Sequence, residues 1–432
     1  MPVQQSQRYA LFIIGILFFV FGFVTWLNGT LIPFLKLACQ LQNDIQAFFV
    51  TFAFYMAYFF LAIPSSVILK RTGFKNGMAL GLFVMAIGSL IFIPAAYTRS
   101  FPFFLTGLFV QGAGLALLQT ASNPYISIVG PIESAAKRIS IMGICNKVAG
   151  ILSPVILGAL VLKNASAIET QVTLARTAAE KEALLDQLAA RIINPYIIMA
   201  VVLILLAFMI KRSSLPEIDL DKEDVTTPNS IAAKTSVFQY RHLMLGVVCL
   251  FLYLGVEVLA GDAIGAYGRE LGMPLDETKY FTTFTLVAML TGYIIGILTI
   301  PKYISQQNAL AVSAVLGALF SVGVFVTNGY TAITFIALLG LANALMWPAI
   351  FPLAIAGLGK FTKIGAALLI MGIAGGALLP LLYTTLKDKN IASNHAAFLL
   401  CTLPSYAYIF YYATKGFAEG KKVKSNLKPA YT

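Results

Sequence analysis

Of 30 basic and 18 acidic side chains, Lys147, Glu257 and Asp262 alone lie inside long apolar stretches. A charge at the centre of a bilayer costs several kcal/mol by insertion scales, so each intramembrane ion is a functional candidate by default. Lys147 and Glu257 fall near the middle of their stretches. They could form a structural ion pair across the molecule. Alternatively, Glu257 could accept hydrogen bonds from a ligand's hydroxyls or hold a cation while Lys147 tunes it electrostatically. We expect the second, because a carboxylate facing hydroxyls needs no further device. Asp262 lies roughly 140° around the helix from Glu257 and is expected as a solvated vestibule residue or a gate contact.

Uncharged polar groups gather in similar places. Thr25, Trp26, Asn28, Gly29 and Pro33 interrupt one apolar stretch; Gln119, Asn123 and Pro124 interrupt another; Asn343, Trp347, Pro348 and Pro352 interrupt a third. Both tryptophans of the chain belong to this set. At about 100° per residue, Gln119 and Asn123 share one helix face, as do Asn343 and Trp347. Amides donate and accept hydrogen bonds to hydroxyls, and an indole packs on the apolar face of a sugar ring. Asn28, Gln119, Asn123, Asn343, Trp26 and Trp347, with Glu257, therefore form a candidate monosaccharide site. An anionic ligand calls for more fixed positive charge. The competing role for each amide is to hold helices together by hydrogen bonds within the membrane.

The elements that must position these groups are transmembrane helices. Windows free of Lys, Arg, Asp and Glu run over 9–35, 45–69, 76–98, 100–132, 192–210, 280–301, 364–386 and 390–414. Each can cross a hydrocarbon core of roughly 30 Å as a helix of about 20 residues. A longer window, 303–359, breaks at Asn328-Gly329 into two helices, and 139–162 and 243–268 are interrupted only by the intramembrane charges. The expected fold is an all-α polytopic membrane protein with twelve transmembrane helices in a 6+6 pseudo-symmetric plan. Its parts are an N-terminal bundle 1–211, a cytoplasmic linker 212–242, a C-terminal bundle 243–414 and a basic tail 415–432. If each half is two inverted triplets, crossings one, four, seven and ten line a central cavity and carry polar, Gly or Pro interruptions, as they do here. The Ala-, Glu- and Leu-rich segment 163–191 is expected to form a surface helix.

Composition agrees: 59% hydrophobic and 11% charged residues suit a lipid solvent and exclude a water-soluble fold. The first window has only Arg8 ahead of it and no small-residue cleavage site behind it, so it is expected to be retained rather than removed as a signal peptide. The net charge of +12 follows the rule that short cytoplasmic loops collect Lys and Arg. With both termini inside, nineteen basic residues lie inside, ten outside and one in the membrane. The tail then acts as an orientation signal and a contact for anionic lipid rather than for nucleic acid. Cys39, Cys145, Cys249 and Cys401 are scattered without metal-binding spacing, and His242 and His395 stand alone, so no metal or cofactor is expected. No nucleophile–base pair marks an enzyme.

The chain resembles the fucose–galactose–hexose branch of the major facilitator superfamily, which includes L-fucose/proton symporters and bacterial glucose/galactose transporters. The likeness rests on Phe21-Gly-Phe-Val-Thr-Trp-Leu-Asn-Gly-Thr-Leu-Ile-Pro33, Leu118-Gln-Thr-Ala-Ser-Asn-Pro-Tyr125, Ile144-Cys-Asn-Lys-Val-Ala-Gly150 and Met346-Trp-Pro-Ala-Ile-Phe351. Thr362-Lys-Ile-Gly365, Gly375-Gly-Ala-Leu-Leu-Pro380 and the loop Lys70-Arg-Thr-Gly-Phe-Lys-Asn-Gly77 extend it over almost the whole chain. The resemblance implies a monomeric carrier of a hexose, fucose or N-acetylhexosamine in a bacterial inner membrane, working by alternating access. Its proton symporters place an aspartate where this chain has Gly29 and a glutamate where it has Gln119. The usual Asn-Ser reads Asn146-Lys147, which adds Asn146 and a cation to the cavity. Three coupling schemes stay open: uniport, proton symport relocated to Glu257 or Asp262, and sodium symport through oxygens of Asn28, Gln119 and Asn123. A drug or lipid exporter of the same superfamily and a non-transporting sugar sensor are the alternatives.

Overall fold

A computed structural model describes residues 3–128, 135–215, 236–300, 302–358 and 361–420. Residues 216–235 of the expected linker and 421–432 of the expected tail lie outside the described residues. Among the described residues the chain is helical, with no strand. The first half contains α1 (Val3–Thr25), α2 (Asn28–Ala38), α3 (Asp44–Thr98), α4 (Phe101–Ile128), α5 (Ala135–Val161), α6 (Ala165–Leu174), α7 (Ala178–Ala190) and α8 (Ile193–Arg212). The second contains α9 (Arg241–Asp262), α10 (Ile264–Glu270), α11 (Leu275–Thr278), α12 (Phe281–Thr299), α13 (Gln306–Val326) and α14 (Gly329–Asn343). It ends with α15 (Met346–Ile355), α16 (Thr362–Met371), α17 (Gly375–Asp388) and α18 (Asn394–Thr414).

Among the described residues, eleven helical stretches are long and apolar enough to cross a bilayer. One of them, α3, is 55 residues long and turns at Gly73, where φ is 74° and ψ 171°. Glycine adopts this backbone without a Cβ clash, and Gly73 sits in the basic loop that separates the windows 45–69 and 76–98. Large apolar side chains on these stretches, including Phe12, Ile198, Leu205, Leu298 and Leu319, are more than half exposed. Such a surface is matched to lipid rather than water.

Three of the four crossings expected to be interrupted are physically broken. The break between α1 and α2 falls at Trp26-Leu27, that between α9 and α10 at Ala263, and that between α14 and α15 at Ala344-Leu345. The crossing formed by α4 runs unbroken through Gln119 and Asn123.

Glycines set the closest helix approaches, as small residues do where packing rather than hydrophobicity joins helices in lipid. A Cβ at Gly22 of α1 would strike the Asn146 carbonyl of α5, and one at Gly112 of α4 the Phe54 carbonyl of α3. In the second half, Gly375 of α17 meets the Phe251 carbonyl of α9, and Gly340 of α14 meets Thr285 of α12.

Segment 163–191 is helical but in two pieces, α6 and α7, rather than the single surface helix expected. Thr177 restarts the helix as an N-cap, accepting from the Glu180 amide at 3.1 Å while the Glu180 carboxylate reaches back to the Arg176 amide at 3.1 Å.

Candidate functional site

A cavity of about 120 Å³ lies between the two halves. Trp26 and Gln119, Asn123, Asn146 and Lys147 line it from the first half, and Glu257 and Trp347 from the second. Gln119 and Asn123 share the face of α4 that their spacing predicts. The Gln119 side-chain amide donates to the Tyr58 hydroxyl at 3.0 Å.

Lys147 and Glu257 meet directly. The Lys147 ammonium lies 2.9 Å from Glu257 Oε1, with the two side chains 7% and 6% exposed. Lys147 Nζ also stands 4.6 Å from the Trp26 ring centroid, so the ammonium is held by a carboxylate and an indole face. The ion pair, one of the two arrangements the sequence allowed, is formed. The reason is desolvation, because either charge left alone in this setting costs more than the pair. Both groups still line the cavity, so a ligand meets an ion pair that bridges α5 and α9.

Two predicted amides do not line the cavity. Asn343 is fully buried and its Oδ1 accepts from the Tyr406 hydroxyl at 2.9 Å. The helix break at Ala344-Leu345 removes the common face that regular spacing assigned to Asn343 and Trp347, and only Trp347 reaches the cavity. Asn28, on the first turn of α2, is fully buried with neither side-chain polar atom hydrogen-bonded. The oxygens proposed for sodium are thus split, with Gln119 and Asn123 on the cavity wall and Asn28 off it. Asp262 is 1% exposed rather than a solvated vestibule residue, because α2 packs over the end of α9. Among the described residues, no group of three or more His, Cys, Asp or Glu could hold a metal ion.

Four tyrosines complete the wall and were not singled out from the sequence: Tyr55, Tyr58, Tyr253 and Tyr293. Tyr55 and Tyr58 lie one turn apart with ring centroids 6.3 Å apart, and Tyr253 precedes Glu257 by one turn of α9. Their spacing of three and four on otherwise apolar helices was the available signal.

The cavity is closed on one face of the molecule by polar contacts, several of them between the halves. Lys387 bonds Asp44, and bonds Glu270 at 2.9 Å, while Asp44 also takes Lys36. The Ile45 amide donates to Asp388 at 2.9 Å. Asp276 caps the start of α6 in the other half, accepting from the Ala165 and Ser166 amides at 3.2 Å each. Lys279 donates to the Leu162 carbonyl at 2.8 Å, and Arg269 pairs with Glu169 at 2.6 Å.

The sequence pattern of the Major Facilitator Superfamily matches residues 14–382. A glucose/galactose transporter of Brucella abortus is 33% identical over 416 residues, covering 96% of this chain and 95% of the relative. The L-fucose-proton symporter of Escherichia coli is 28% identical over 402 residues, covering 92% and 90%. The crystal structure of FucP, a transporter of this superfamily in the outward conformation, superposes with a TM-score of 0.75 at 27% identity, covering 94% of this chain and 98% of that one. On sequence pattern, near-full-length relatives and fold together, this chain is a member of the Major Facilitator Superfamily.

Proposed function

We propose that this chain carries a monosaccharide across a bacterial inner membrane by alternating access. The observation that supports it best is the composition of the cavity: three amides, four tyrosines, two indoles and one ion pair, contributed by both halves. Amides and phenols supply directional partners for ring hydroxyls, and Trp26 and Trp347 supply apolar surfaces for the ring's C–H faces. The substrates named for the relatives, glucose, galactose and L-fucose, have this chemistry.

Divided at Gly73, α3 gives two crossings and brings the total to twelve. The glycine contacts then fall on crossings one with five, two with four, seven with eleven and eight with ten, a pattern that supports two equivalent six-helix halves built from inverted triplets. The halves are 1–211 and 243–414. With both termini cytoplasmic, the closed face is the outer one and the cavity belongs to an inward-facing state. Rocking of the halves would break the polar contacts of that face and open the cavity to the outside. The protein works as a monomer, with its basic tail on anionic lipid.

Purified protein in liposomes loaded with unlabelled sugar should take up labelled D-glucose, D-galactose or L-fucose by counterflow. Binding without flux would make it a sensor, and flux of apolar drugs instead would make it an exporter. Repeating the uptake with a sodium gradient, a proton gradient or neither separates the coupling schemes.

A further inference from the structure

Asp262 ends α9 at a helix break, buried to 1% exposure, and neither of its carboxylate oxygens completes a hydrogen bond of standard geometry. The Gly29 amide on the first turn of α2 directs its N–H dipole at this carboxylate. The backbone around the break is satisfied: Thr282 donates to the Gly261 carbonyl at 2.7 Å and Thr285 to the Ala260 carbonyl at 2.9 Å. The carboxylate is the group left over.

No Lys, Arg or His among the described residues donates to it. The titratable groups acting on it are Glu257, from its own helix and of like charge, and the Tyr55 hydroxyl from α3. Lys147 is occupied by Glu257. Tyr55 lines the cavity, feels both Asp262 and Glu257, and has a buried hydroxyl without a hydrogen-bond partner.

An unpaired carboxylate buried at membrane depth costs several kcal/mol when ionised, and a bound proton removes most of that cost. Resting on the transport reading above, we infer that Asp262 takes up the coupling proton of a sugar/proton symport. In the cycle, one proton from the compartment on the closed face's side binds a carboxylate oxygen of Asp262 while that face is open. Neutralisation lets α2 and α9 close over it. Once the cavity is open to the other side, Asp262 passes this proton to the Tyr55 oxygen as the Tyr55 hydroxyl releases its own proton to water in the cavity, which restores both the carboxylate and the neutral phenol.

The test uses the full-length protein in liposomes with labelled D-glucose, D-galactose and L-fucose. Wild type should concentrate one of them when the outside is made more acidic. Asp262→Asn, a permanent neutral mimic, should keep counterflow within about twofold of wild type while its acid-driven uptake stops at equilibration. Asp262→Glu should concentrate sugar with a displaced pH profile. The inference is overturned if Asp262→Asn still concentrates sugar, or if wild type concentrates it with sodium and ignores the pH gradient. If Asp262→Asn does not fold, an unchanged pH profile in Asp262→Glu overturns it. Wild-type counterflow without acid-driven accumulation refutes this inference alone, whereas absence of counterflow with all three sugars removes the transport reading and the inference together.

Discussion

Removing one member of the Lys147–Glu257 pair should be far worse than removing both. At 2.9 Å and an effective dielectric constant of about 20, the attraction is roughly 6 kcal/mol. Most of it offsets the desolvation of two side chains that are 7% and 6% exposed. Taking away one partner leaves the other charge buried and unmatched, at a cost of about 3–5 kcal/mol, whereas replacing both with neutral groups of similar volume is close to neutral. Lys147→Met and Glu257→Gln should therefore each lower unfolding stability by about 3 kcal/mol or more, and the double variant should recover most of the loss. SDS-titrated unfolding in mild-detergent micelles, followed by intrinsic fluorescence, measures this at the site itself, because both tryptophans of the chain line the cavity. Simple addition of the two losses in the double variant would refute the reasoning, as would a loss under about 1 kcal/mol in either single variant.

Gln119→Ala, Asn123→Ala and Glu257→Gln should each weaken monosaccharide binding more than tenfold, about 1.4 kcal/mol; unchanged affinity in all three, by equilibrium binding or thermal shift, removes the cavity assignment. Cys39, just beyond the end of α2, offers a pH readout. Burial disfavours its thiolate and pushes the thiol up to about 11. The reactive thiolate is therefore scarce at neutral pH and grows about tenfold per pH unit. In a variant keeping Cys39 alone, maleimide labelling should rise that steeply from pH 7 to pH 9, and a plateau below pH 9 would contradict it.

The membrane fold was legible because charge is almost excluded from the hydrocarbon, so gaps in the charge pattern mark the crossings. The turn at Gly73 fell where Lys70, Arg71 and Lys75 placed a loop. The Gln119–Asn123 face was legible because α4 is regular there, and angular spacing holds along an unbroken helix. It failed for Asn343 and Trp347, since the chain leaves helical geometry between them. It could not foresee that Asn28 and Asp262 would be buried where α2 packs on α9, because that depends on how two distant breaks meet. Tyr55, Tyr58, Tyr253 and Tyr293 read as ordinary aromatic residues on apolar helices. Only the assembled wall brings them together with Gln119 and Glu257.

The contacts within each half and those across the closed face are of different kinds, and the difference bears on what can move. Gly22 against Asn146 and Gly375 against Phe251 bring backbones together with no room for a methyl group. Such contacts tolerate little sliding, because close-packed interiors respond to small volume changes with strain. The closed face is instead joined partly through Glu169, Arg269 and Asp276, whose side chains are about a third or more exposed, beside the more buried Lys387–Asp44 pair. Water replaces partners of this kind readily, and each such pair is worth roughly 0–1 kcal/mol. Opening the face therefore exchanges these weak contacts and the Lys387–Asp44 pair for hydration and leaves the glycine-packed seams intact. Asp262 lies beneath those contacts, so hydration of its carboxylate would favour the open face and a bound proton the closed one. The energy that biases the two states can thus come from one titrating group rather than from the strength of the surface pairs.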